Sequence, residues 1–472
     1  MTRRLTAKTD STCERVLADG VTPIAAFAAL RGLLPRPAFL FESSPAAGQA
    51  ARYSIIGMGS RGEVVASDGA VRVHIHGRAT KNKADPLSAA RDLLHALTPS
   101  KPGSAFAGAY GAAAFEFASY LERLPQLPRG RDPMPDLHLV VPQALVVFDH
   151  LTHEVEISAE GADCGTIVRE AASRLGHARL APLACGGSPQ PLELRPSALP
   201  YAGAIARAQA AIRAGEAFQV VLAQRLDAPL VAAPFDAYRA LRSINPSPYM
   251  FFLDFGWGEL LGSSPEALVT LAQGRARVRP LAGTRARAAD SHEDARRERD
   301  LRRDAKELAE HMMLVDLGRN DLARACEYGS VRVSELLSVE RYSHVMHLVS
   351  EVTGALRAGC DAFDLFAAAF PAGTVSGAPK IRAMQLIVRL EGKRRGFYAG
   401  SVCRFGFDGS LDACITLRSA HAYGGRYHCA AGAGIVSASD AASEDAECRA
   451  KAGALAAAIG QARRASPGRH VA

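Results

Sequence analysis

The stretch Lys306–Asp321, KELAEHMMLVDLGRND, is the part of the chain that decides its fold and chemistry. Its apolar residues recur at roughly helical spacing, which predicts a helix with one buried face. Glu307 and Glu310 are three residues apart, so their carboxylates lie on one side of that helix about a turn apart. The apolar residues that define the spacing are Leu308, Met312, Leu314, Val315 and Leu317.

The same acidic spacing returns far downstream. Glu444 and Glu447 stand three apart in the segment SEDAECRAKAGALAAAI, which also predicts a helix. If the two helices face each other, four carboxylates converge, and they repel one another unless a cation lies among them. Such a cluster suits a hard divalent ion, with Mg²⁺ favoured. Because Mg²⁺ keeps several waters and takes one or two carboxylates directly, some of the glutamates would act through water. The ordinary alternative is that each ExxE pair lies on a solvated helix face.

Composition narrows the class of protein. The chain has 472 residues, more than one usual domain, and with 48% hydrophobic and 22% charged residues it has the balance of a soluble globular protein. The net charge of +8 is compatible with a small anionic substrate. No run of Lys and Arg with stacking aromatics predicts nucleic-acid binding, and no signal peptide or long apolar segment predicts a membrane partner. The nine scattered cysteines form no CxxC pair, so we expect reduced thiols in the cytoplasm.

The order of predicted elements indicates an α+β fold, because strands and helices mix without strict βαβ alternation. Residues 181–200, APLACGGSPQPLELRPSALP, predict a Pro-rich linker. We therefore divide the chain into an N-terminal region (1–180), this linker, a catalytic region (201–464) and a tail (465–472). The distinctive motifs concentrate after the linker. They include FQVVLAQR (218–225), NPSPYM (245–250), LGSSPEALV (261–269), RPLAGTRAR (279–287), YSHVMH (342–347), PAGTVSGAPK (371–380) and AGAGIV (431–436).

Two glycine-rich motifs predict an anion site. PAGTVSGAPK lacks the GxxxxGK[ST] order of a phosphate loop, but its small residues allow backbone N–H groups to approach an anion. A helix that begins near Lys380 would add its positive end. AGAGIV predicts a second close-approach glycine turn. A substrate that carries carboxylates fits both motifs better than a nucleotide does.

Taken together, these stretches resemble the chorismate-utilising enzymes, and most closely their anthranilate synthase component I members, from about Phe39 to Ile459. The resemblance implies layered antiparallel β-sheets flanked by helices, the β-sandwich of that family. It also implies Mg²⁺-dependent amination of chorismate at C2, then elimination of pyruvate to give anthranilate, the first committed step of tryptophan biosynthesis. No cysteine lies in a GxCxG elbow, so a separate glutamine amidotransferase subunit, component II, would supply the ammonia.

The resemblance assigns roles at the matching positions. Glu266 would be the general acid that protonates the departing C4 hydroxyl, which requires a raised pKa. His347 would act in pyruvate elimination, although a lone histidine in an apolar stretch is more often a core residue. Thr374 would contact substrate. The metal ligands would be Glu307, Glu310, Glu444 and Glu447, and the substrate-binding residues Thr284, Tyr398, Arg418, Gly432, Ala433, Gly434 and Lys451.

Two positions discriminate within the family. Members that add water to chorismate carry a lysine base where this chain has Gln219, and a neutral amide cannot deprotonate water. Aminodeoxychorismate synthases typically carry lysine in a PIKGT motif, whereas this chain has Ala282 in PLAGT. Ammonia would therefore add directly to the ring at C2.

A regulatory site is also implied. A carboxylate and backbone carbonyls would hold the α-amino group of tryptophan, and an apolar wall would take its indole. The Pro-rich turn taken alone would be read as structural. The residues that match the tryptophan-binding pocket of feedback-inhibited members are Glu42, Ser43, Asn245, Pro246, Ser247, Pro248, Tyr249, Met250 and Cys414.

Some features leave other functions open. Cys403 and Arg404 stand where family members more often have Gly-Tyr, a departure that leaves fine tuning, partner contact and lyase efficiency open. The alternatives within the family are a 2-amino-2-deoxyisochorismate synthase with weak lyase activity and an aminodeoxychorismate synthase component I. An alternative of another class is a catalytically silent homologue that binds tryptophan or the amidotransferase. Retention of the four glutamates, Glu266 and His347 argues against the last.

Overall fold

Two antiparallel sheets of twelve strands each form the framework of the part of the chain that the structure describes. The structure is a computed structural model, which describes residues 11–43, 52–76, 78–82, 85–99, 103–125, 133–183, 193–196, 201–341 and 345–465. The helices are α1 Pro23–Leu30, α2 Pro86–Leu97, α3 Ala118–Leu121, α4 Cys164–Gly176, α5 Tyr201–Arg213, α6 Pro234–Ile244, α7 Ser291–Arg303, α8 Ala305–Ala323, α9 Ala362–Ala369, α10 Lys380–Glu391 and α11 Ala441–Ala465, with 3-10 turns at Phe115–Phe117 and Gly373–Val375.

The strands follow in chain order. They are β1 Ser11–Leu17, β2 Ala38–Glu42, β3 Tyr53–Met58, β4 Gly62–Ser67, β5 Ala70–Ile75, β6 Arg78–Asn82, β7 Gly108–Ala113, β8 Leu137–Val141, β9 Ala144–Asp149, β10 Glu154–Glu160, β11 Arg195–Pro196, β12 Gln219–Pro229, β13 Tyr249–Asp254, β14 Glu259–Ser264, β15 Ala267–Ala272, β16 Arg275–Val278, β17 Leu281–Ala286, β18 Arg332–Arg341, β19 Val345–Ala355, β20 Gly377–Ala378, β21 Ser401–Gly406, β22 Leu411–Ile415, β23 Ser419–Tyr423 and β24 Arg426–Ile435.

Each sheet combines strands from both sides of the predicted linker. The first sheet has the order β1-β10-β9-β3-β2-β13-β14-β23-β24-β12-β11, with β20 also paired to β12. The second has the order β17-β19-β16-β15-β22-β21-β7-β8-β4-β5-β6, with β18 paired to β19. In the first, β2 lies between β3 and β13, so that Phe39 is opposite Leu253. In the second, β7 pairs with β21, which places Tyr110 opposite Arg404. The predicted α+β fold with layered antiparallel sheets is confirmed.

An aromatic core joins the two sheets. Phe39 and Phe251 come from the first sheet and Tyr110 from the second, and all three side chains are fully buried. The rings of Phe39 and Tyr110 stack with their centroids 4.6 Å apart. Burial of each such ring contributes about 1.5–3 kcal/mol. A side chain at Gly57 would overlap the ring of Phe39, so this strand position has no room for a Cβ.

Helix α8 contains the stretch from which the prediction began. The side chain of Asp304 caps it and accepts hydrogen bonds from the backbone N–H groups of Lys306 and Glu307. The helix packs on β17 and β19. Its buried face includes Leu314 and Val315, as predicted, but Met312 is 39% exposed. The prediction for Met312 was wrong because the buried stripe passes instead through His311, Gly318 and Leu322 at helical spacing.

Two predicted segments lie largely outside the described residues. Of the linker 181–200, the structure describes 181–183 and 193–196, and the latter include β11, which pairs with β12. Of the tail 465–472, it describes Ala465, where α11 ends. None of the described helices is long and apolar enough to span a bilayer.

Candidate active site

The predicted metal ligands lie on the first two turns of α8 and α11. Glu310 is partly buried, and its pKa is raised by burial first and then by the charges of Glu307 and Glu447. The carboxylates of α8 and α11 are therefore close enough to repel one another electrostatically. Glu307 is held by Arg285, whose Nη1 lies 3.0 Å from its Oε1. Glu444 lies one turn before Glu447 on α11.

This donor set fits a hydrated hard cation. Among the residues that the structure describes, no three acidic, histidine or cysteine side chains form a closed metal-holding group. Mg²⁺ usually takes only one or two protein carboxylates and fills its remaining positions with water and substrate oxygens. Glu310 repels its acidic neighbours and receives only a long, 3.5 Å hydrogen bond from the Gln219 amide. Arg285 pairs with Glu307 and Lys451 with Glu447, so it is Glu310 whose charge a hydrated ion would compensate.

The glycines of AGAGIV lie in the strand β24, so the predicted turn was wrong. These glycines do allow neighbouring side chains to lie close to the strand backbone. A Cβ at Gly434 would overlap the Gln219 amide, and a Cβ at Gly432 would lie 2.7 Å from the Tyr398 hydroxyl. Glycine is therefore required here because two neighbouring side chains lie against the strand backbone. Ala433, between them, is fully buried.

Lys451 connects this strand to the acidic helix. Its Nζ donates to the carbonyl oxygen of Gly432 at 2.9 Å and pairs with Glu447 at 2.7 Å. Its positive charge also acts on Glu266, where it partly opposes the larger effect of burial on the pKa of that carboxyl. Lys451 of α11 therefore contacts a predicted metal ligand and β24, and its charge also reaches the predicted general acid.

Glu266 has the environment that a general acid needs. It precedes β15 and is only 9% exposed. Burial raises the pKa of its carboxyl to about 8, against the smaller lowering effects of the Thr374 hydroxyl and the Lys451 charge. The carboxyl is therefore mostly protonated at neutral pH. Thr374 is presented by the 3-10 turn within PAGTVSGAPK.

His347 is held as a neutral ring. It lies on β19, opposite Thr284 of β17. Its Nδ1 is 2.9 Å from the Thr284 hydroxyl and 3.1 Å from the carbonyl oxygen of Gly283. A carbonyl can only accept, so Nδ1 carries the proton and Nε2 is the acceptor nitrogen. Burial lowers the pKa of His347, and the charge of Arg418 lowers it further.

Arg418 is a partly buried cation without a carboxylate partner among the described residues. Its Nη1 donates to the side-chain oxygen of Asn245 at 3.1 Å. Burial lowers its pKa, and no acid in the described part of the chain offsets that effect. A guanidinium in this position is suited to bind a substrate carboxylate, which would also compensate its desolvation.

A buried ion pair under the active site was not predicted. Lys380 begins α10, as expected, but its Nζ lies 2.6 Å from Asp321 at the end of α8 and donates to the carbonyl oxygen of Ala369. Burial lowers the pKa of Lys380 and raises that of Asp321, while each charge partly offsets the effect on the other. The pair connects α8, which carries two of the predicted metal ligands, to the segment that carries Thr374. No local sequence signal reveals it, because its partners lie on different helices, far apart in the chain.

A cavity of about 380 Å³ lies beside this site, between the two sheets. Most residues of the predicted tryptophan pocket line it. Asn245, Pro246 and Ser247 do not, and Asn245 instead contacts Arg418. Glu266 and Ala267 form part of the wall, so the cavity and the predicted general acid are neighbours. The predicted residues that line the cavity are Glu42, Ser43, Pro248, Tyr249, Met250 and Cys414.

Comparison of the sequence with known proteins indicates the family to which the chain belongs. Residues 37–457 match the model of the chorismate binding enzymes. The chain belongs to the chorismate binding enzyme family. Over 453 residues it is 44% identical to anthranilate synthase component 1 of Thermus thermophilus, an alignment that covers 94% of this chain and 96% of that protein. It is 43% identical to the same-named protein of Streptomyces coelicolor, with 96% and 89% covered.

A solved structure supports the same membership. Anthranilate synthase component I from Streptococcus pneumoniae superposes with a TM-score of 0.76 at 34% identity, covering 94% of this chain and 99% of that chain. This chorismate binding enzyme thus has the fold and the length of its anthranilate synthase relatives. The resemblance seen in the sequence is confirmed.

Proposed function

We propose that this chain is an anthranilate synthase component I, which aminates chorismate at C2 and then eliminates pyruvate to give anthranilate. The observation that carries the proposal is the buried Glu266, whose carboxyl is held with a pKa of about 8 beside the substrate-binding residues. Loss of a hydroxyl needs an acid that is protonated at neutral pH. The similarity to anthranilate synthase component 1 of other bacteria supports this choice.

In the first step, ammonia forms a bond to C2 while the C4–O bond breaks. Glu266 donates its proton to the departing hydroxyl, which leaves as water. The new ammonium then returns a proton to the carboxylate, so the acid is regenerated and the product is aminodeoxyisochorismate. Thr374 lines the same pocket as Glu266 and would contact the substrate there.

In the second step, the Nε2 atom of His347 takes the proton from C2. The C3–O ether bond breaks, the ring becomes aromatic, and the side chain leaves as enolpyruvate, which takes up one proton to become pyruvate while His347 returns to its neutral form. The contacts of Nδ1 with Thr284 and Gly283 hold the ring in the tautomer that has a basic Nε2.

Substrate would be held through its two carboxylates. Arg418 and Tyr398 would hold the enolpyruvyl carboxylate, and Lys451 with the Gly432–Gly434 strand would line the site of the ring carboxylate. Glu307, Glu310, Glu444 and Glu447 would hold Mg²⁺. When bound, the ion supplies Lewis-acid and template chemistry by fixing the ring carboxylate.

Two residues favour ammonia over the alternative nucleophiles. Gln219 is buried against Gly434 and offers a neutral amide, which cannot activate water. Ala282 has no amine that could attack the ring. These side chains argue against isochorismate synthesis and against a covalent lysine intermediate.

The proposal also covers the source of ammonia, the cellular location, the regions of the chain and the inhibitor. Ammonia would come from a glutamine amidotransferase subunit, component II, and the protein would work in the cytoplasm. Residues 201–464 would form the catalytic region, with residues 1–180 contributing Glu42 and Ser43 to a regulatory cavity. Tryptophan would bind that cavity and inhibit. The segments 181–200 and 465–472 would serve as linker and tail.

Incubation of the purified chain with chorismate, ammonium and Mg²⁺ should produce fluorescent anthranilate, and EDTA should abolish it. The Glu307→Gln and Glu447→Gln variants should lose nearly all activity while they retain the thermal unfolding of the unmodified chain. Accumulation of the unaromatised amine would instead indicate an aminodeoxyisochorismate synthase. Formation of isochorismate, or full turnover after metal removal, would contradict the proposal.

A further inference from the structure

The side chain of Arg395 is almost completely buried, three residues before the predicted substrate ligand Tyr398. Only 2% of that side chain is exposed. Its charge is compensated by Glu391 at the end of α10. The Nε atom lies 2.9 Å from Oε2 of that glutamate, and Nη2 lies 2.6 Å from Oε1. Taken alone, this ion pair would be a structural feature of the turn that follows α10.

The other N–H groups of Arg395 bind two elements of the active site. Nη1 donates to the carbonyl oxygen of Val375 at 2.8 Å, in the 3-10 turn that presents Thr374. Nη2 donates to the carbonyl oxygen of Val221 at 2.7 Å, on β12 directly across from Gly434 of β24. One planar guanidinium therefore connects the turn that carries Thr374 to the strand that pairs with the glycine strand.

Arg395 is fixed at both ends. The centre of its guanidinium lies 5.8 Å from the ring centroid of Tyr398 and 4.5 Å from that of Phe115. Its backbone is held separately by Glu116, whose carboxylate accepts hydrogen bonds from the N–H groups of Arg395 at 2.6 Å and Gly396 at 3.1 Å. The guanidinium therefore has little freedom to move relative to the groups around it.

We propose that Arg395 is a positioning residue for substrate binding, which holds Thr374, Tyr398 and the Gly432–Gly434 strand at the spacing that one chorismate molecule needs. It acts through these groups and does not itself contact the substrate. A planar fork suits this role, because its donors point in fixed directions toward several acceptors at once. The inference rests on the proposed function, which supplies the substrate, and adds a residue that the motifs did not assign.

Chorismate binding separates a positioning role from a merely structural one. Calorimetric titration of the full chain with Mg²⁺ and without ammonium measures the Kd for chorismate while no amination occurs. Steady-state assays with ammonium then give KM and kcat. A variant that only loses folded protein has fewer sites and a lower apparent kcat, but its Kd and KM stay unchanged. A variant that displaces the substrate-binding groups raises both constants.

Arg395→Lys should raise the Kd and KM for chorismate about 10-fold or more, because an ammonium keeps the charge but loses the planar fork. Arg395→Ala should weaken binding further, and guanidinium chloride, well below unfolding concentrations, should restore it. A cavity of about 70 Å³ that Arg395, Glu391 and Tyr398 line gives the added cation room to enter. Urea, which has the same shape without the charge, should not restore binding, nor should sodium chloride.

Arg61→Lys is the matched control. The side chain of Arg61 is 5% exposed and pairs with the carboxylate of Glu160, and neither residue belongs to the predicted site. This variant should lower the thermal unfolding temperature and leave the Kd and KM for chorismate unchanged.

Glu391→Gln decides the case if no Arg395 variant folds. It keeps an oxygen that can accept the 2.8 Å hydrogen bond from the backbone N–H of Ala223, but it weakens the hold on Arg395. The Kd for chorismate should rise about 3-fold or more.

Unchanged Kd and KM in Arg395→Lys and in Glu391→Gln would overturn the proposal and leave Arg395 a structural residue. An equal rise in Arg61→Lys would do the same, as would a folded Arg395→Ala variant that guanidinium does not restore. Failure of the proposed reaction gives a different result. If the unmodified chain binds chorismate but forms no anthranilate, the reaction is rejected, whereas the Kd values still decide the role of Arg395. If the unmodified chain binds no chorismate, both proposals are overturned.

Discussion

Replacement of Glu266 by Gln should stabilise the protein and inactivate it at the same time. The carboxyl is 9% exposed, and burial raises its pKa to about 8 from an ordinary value of 4.5. Above that pKa the folded protein must hold an unfavourable buried charge. Glutamine has nearly the same shape and carries no charge at any pH.

The pH dependence follows from proton linkage. Because the folded state binds the proton more tightly than the unfolded state, the carboxyl causes stability to fall as pH rises from 4.5 to 8. The difference between a pKa of 4.5 and one of about 8 corresponds to a loss of at most about 5 kcal/mol in the free energy of unfolding over that pH range. The stability difference between Glu266→Gln and the unmodified chain should therefore grow by up to about 1.4 kcal/mol per pH unit and level off above pH 8.

Urea unfolding midpoints at several pH values between about 5.5 and 9 measure this difference, and turnover is recorded on the same samples. The variant should lose about 100-fold or more of the amination rate. In the unmodified chain, kcat/KM should fall above pH 8 as the acid deprotonates. Glu170→Gln, at a half-exposed carboxylate on α4, is the control and should show no such trend. A stability difference that does not change with pH would refute the reasoning.

Three further variants test other contacts. Gly434→Ala should reduce turnover at least about 10-fold, because its Cβ would displace the Gln219 amide, whereas Gly453→Ala on α11 has open space around it and should be active and slightly more stable. Lys380→Met should destabilise the protein by about 3–5 kcal/mol in urea unfolding, because it leaves the buried Asp321 without its partner, and addition of Asp321→Leu should restore much of that loss. His347→Gln should retain amination and accumulate the aminodeoxyisochorismate intermediate, detected by mass; normal anthranilate formation would exclude His347 as the base of the second step.

The sequence was most informative where a local pattern specifies a structure. The ExxE spacing and apolar periodicity located α8 and α11, and the order of elements predicted an α+β fold with antiparallel layers. A glycine-rich motif was a less specific signal of local structure than the acidic spacing was. In AGAGIV it predicted a turn, but the same residues allow side chains to lie against a strand.

Long-range pairing was beyond the reach of the sequence. Arg242 donates hydrogen bonds to the carboxylate of Glu42, which lies in a distant part of the chain. The Lys380–Asp321 pair likewise joins two helices whose relative placement no motif encodes. Such features depend on tertiary packing, so no local window of residues contains them.

The interleaving of distant strands has a consequence for synthesis of the chain. Strand β2 pairs with β13 and strand β7 with β21, and in each case the partner belongs to a much later part of the chain, beyond the predicted linker. Until those partners emerge from the ribosome, the early strands expose unpaired edges and an aromatic face. Closure of such long loops is slow, and nascent chains would be vulnerable to aggregation throughout that interval. Late-stage translation therefore completes both layers nearly together, and premature termination would leave neither layer whole.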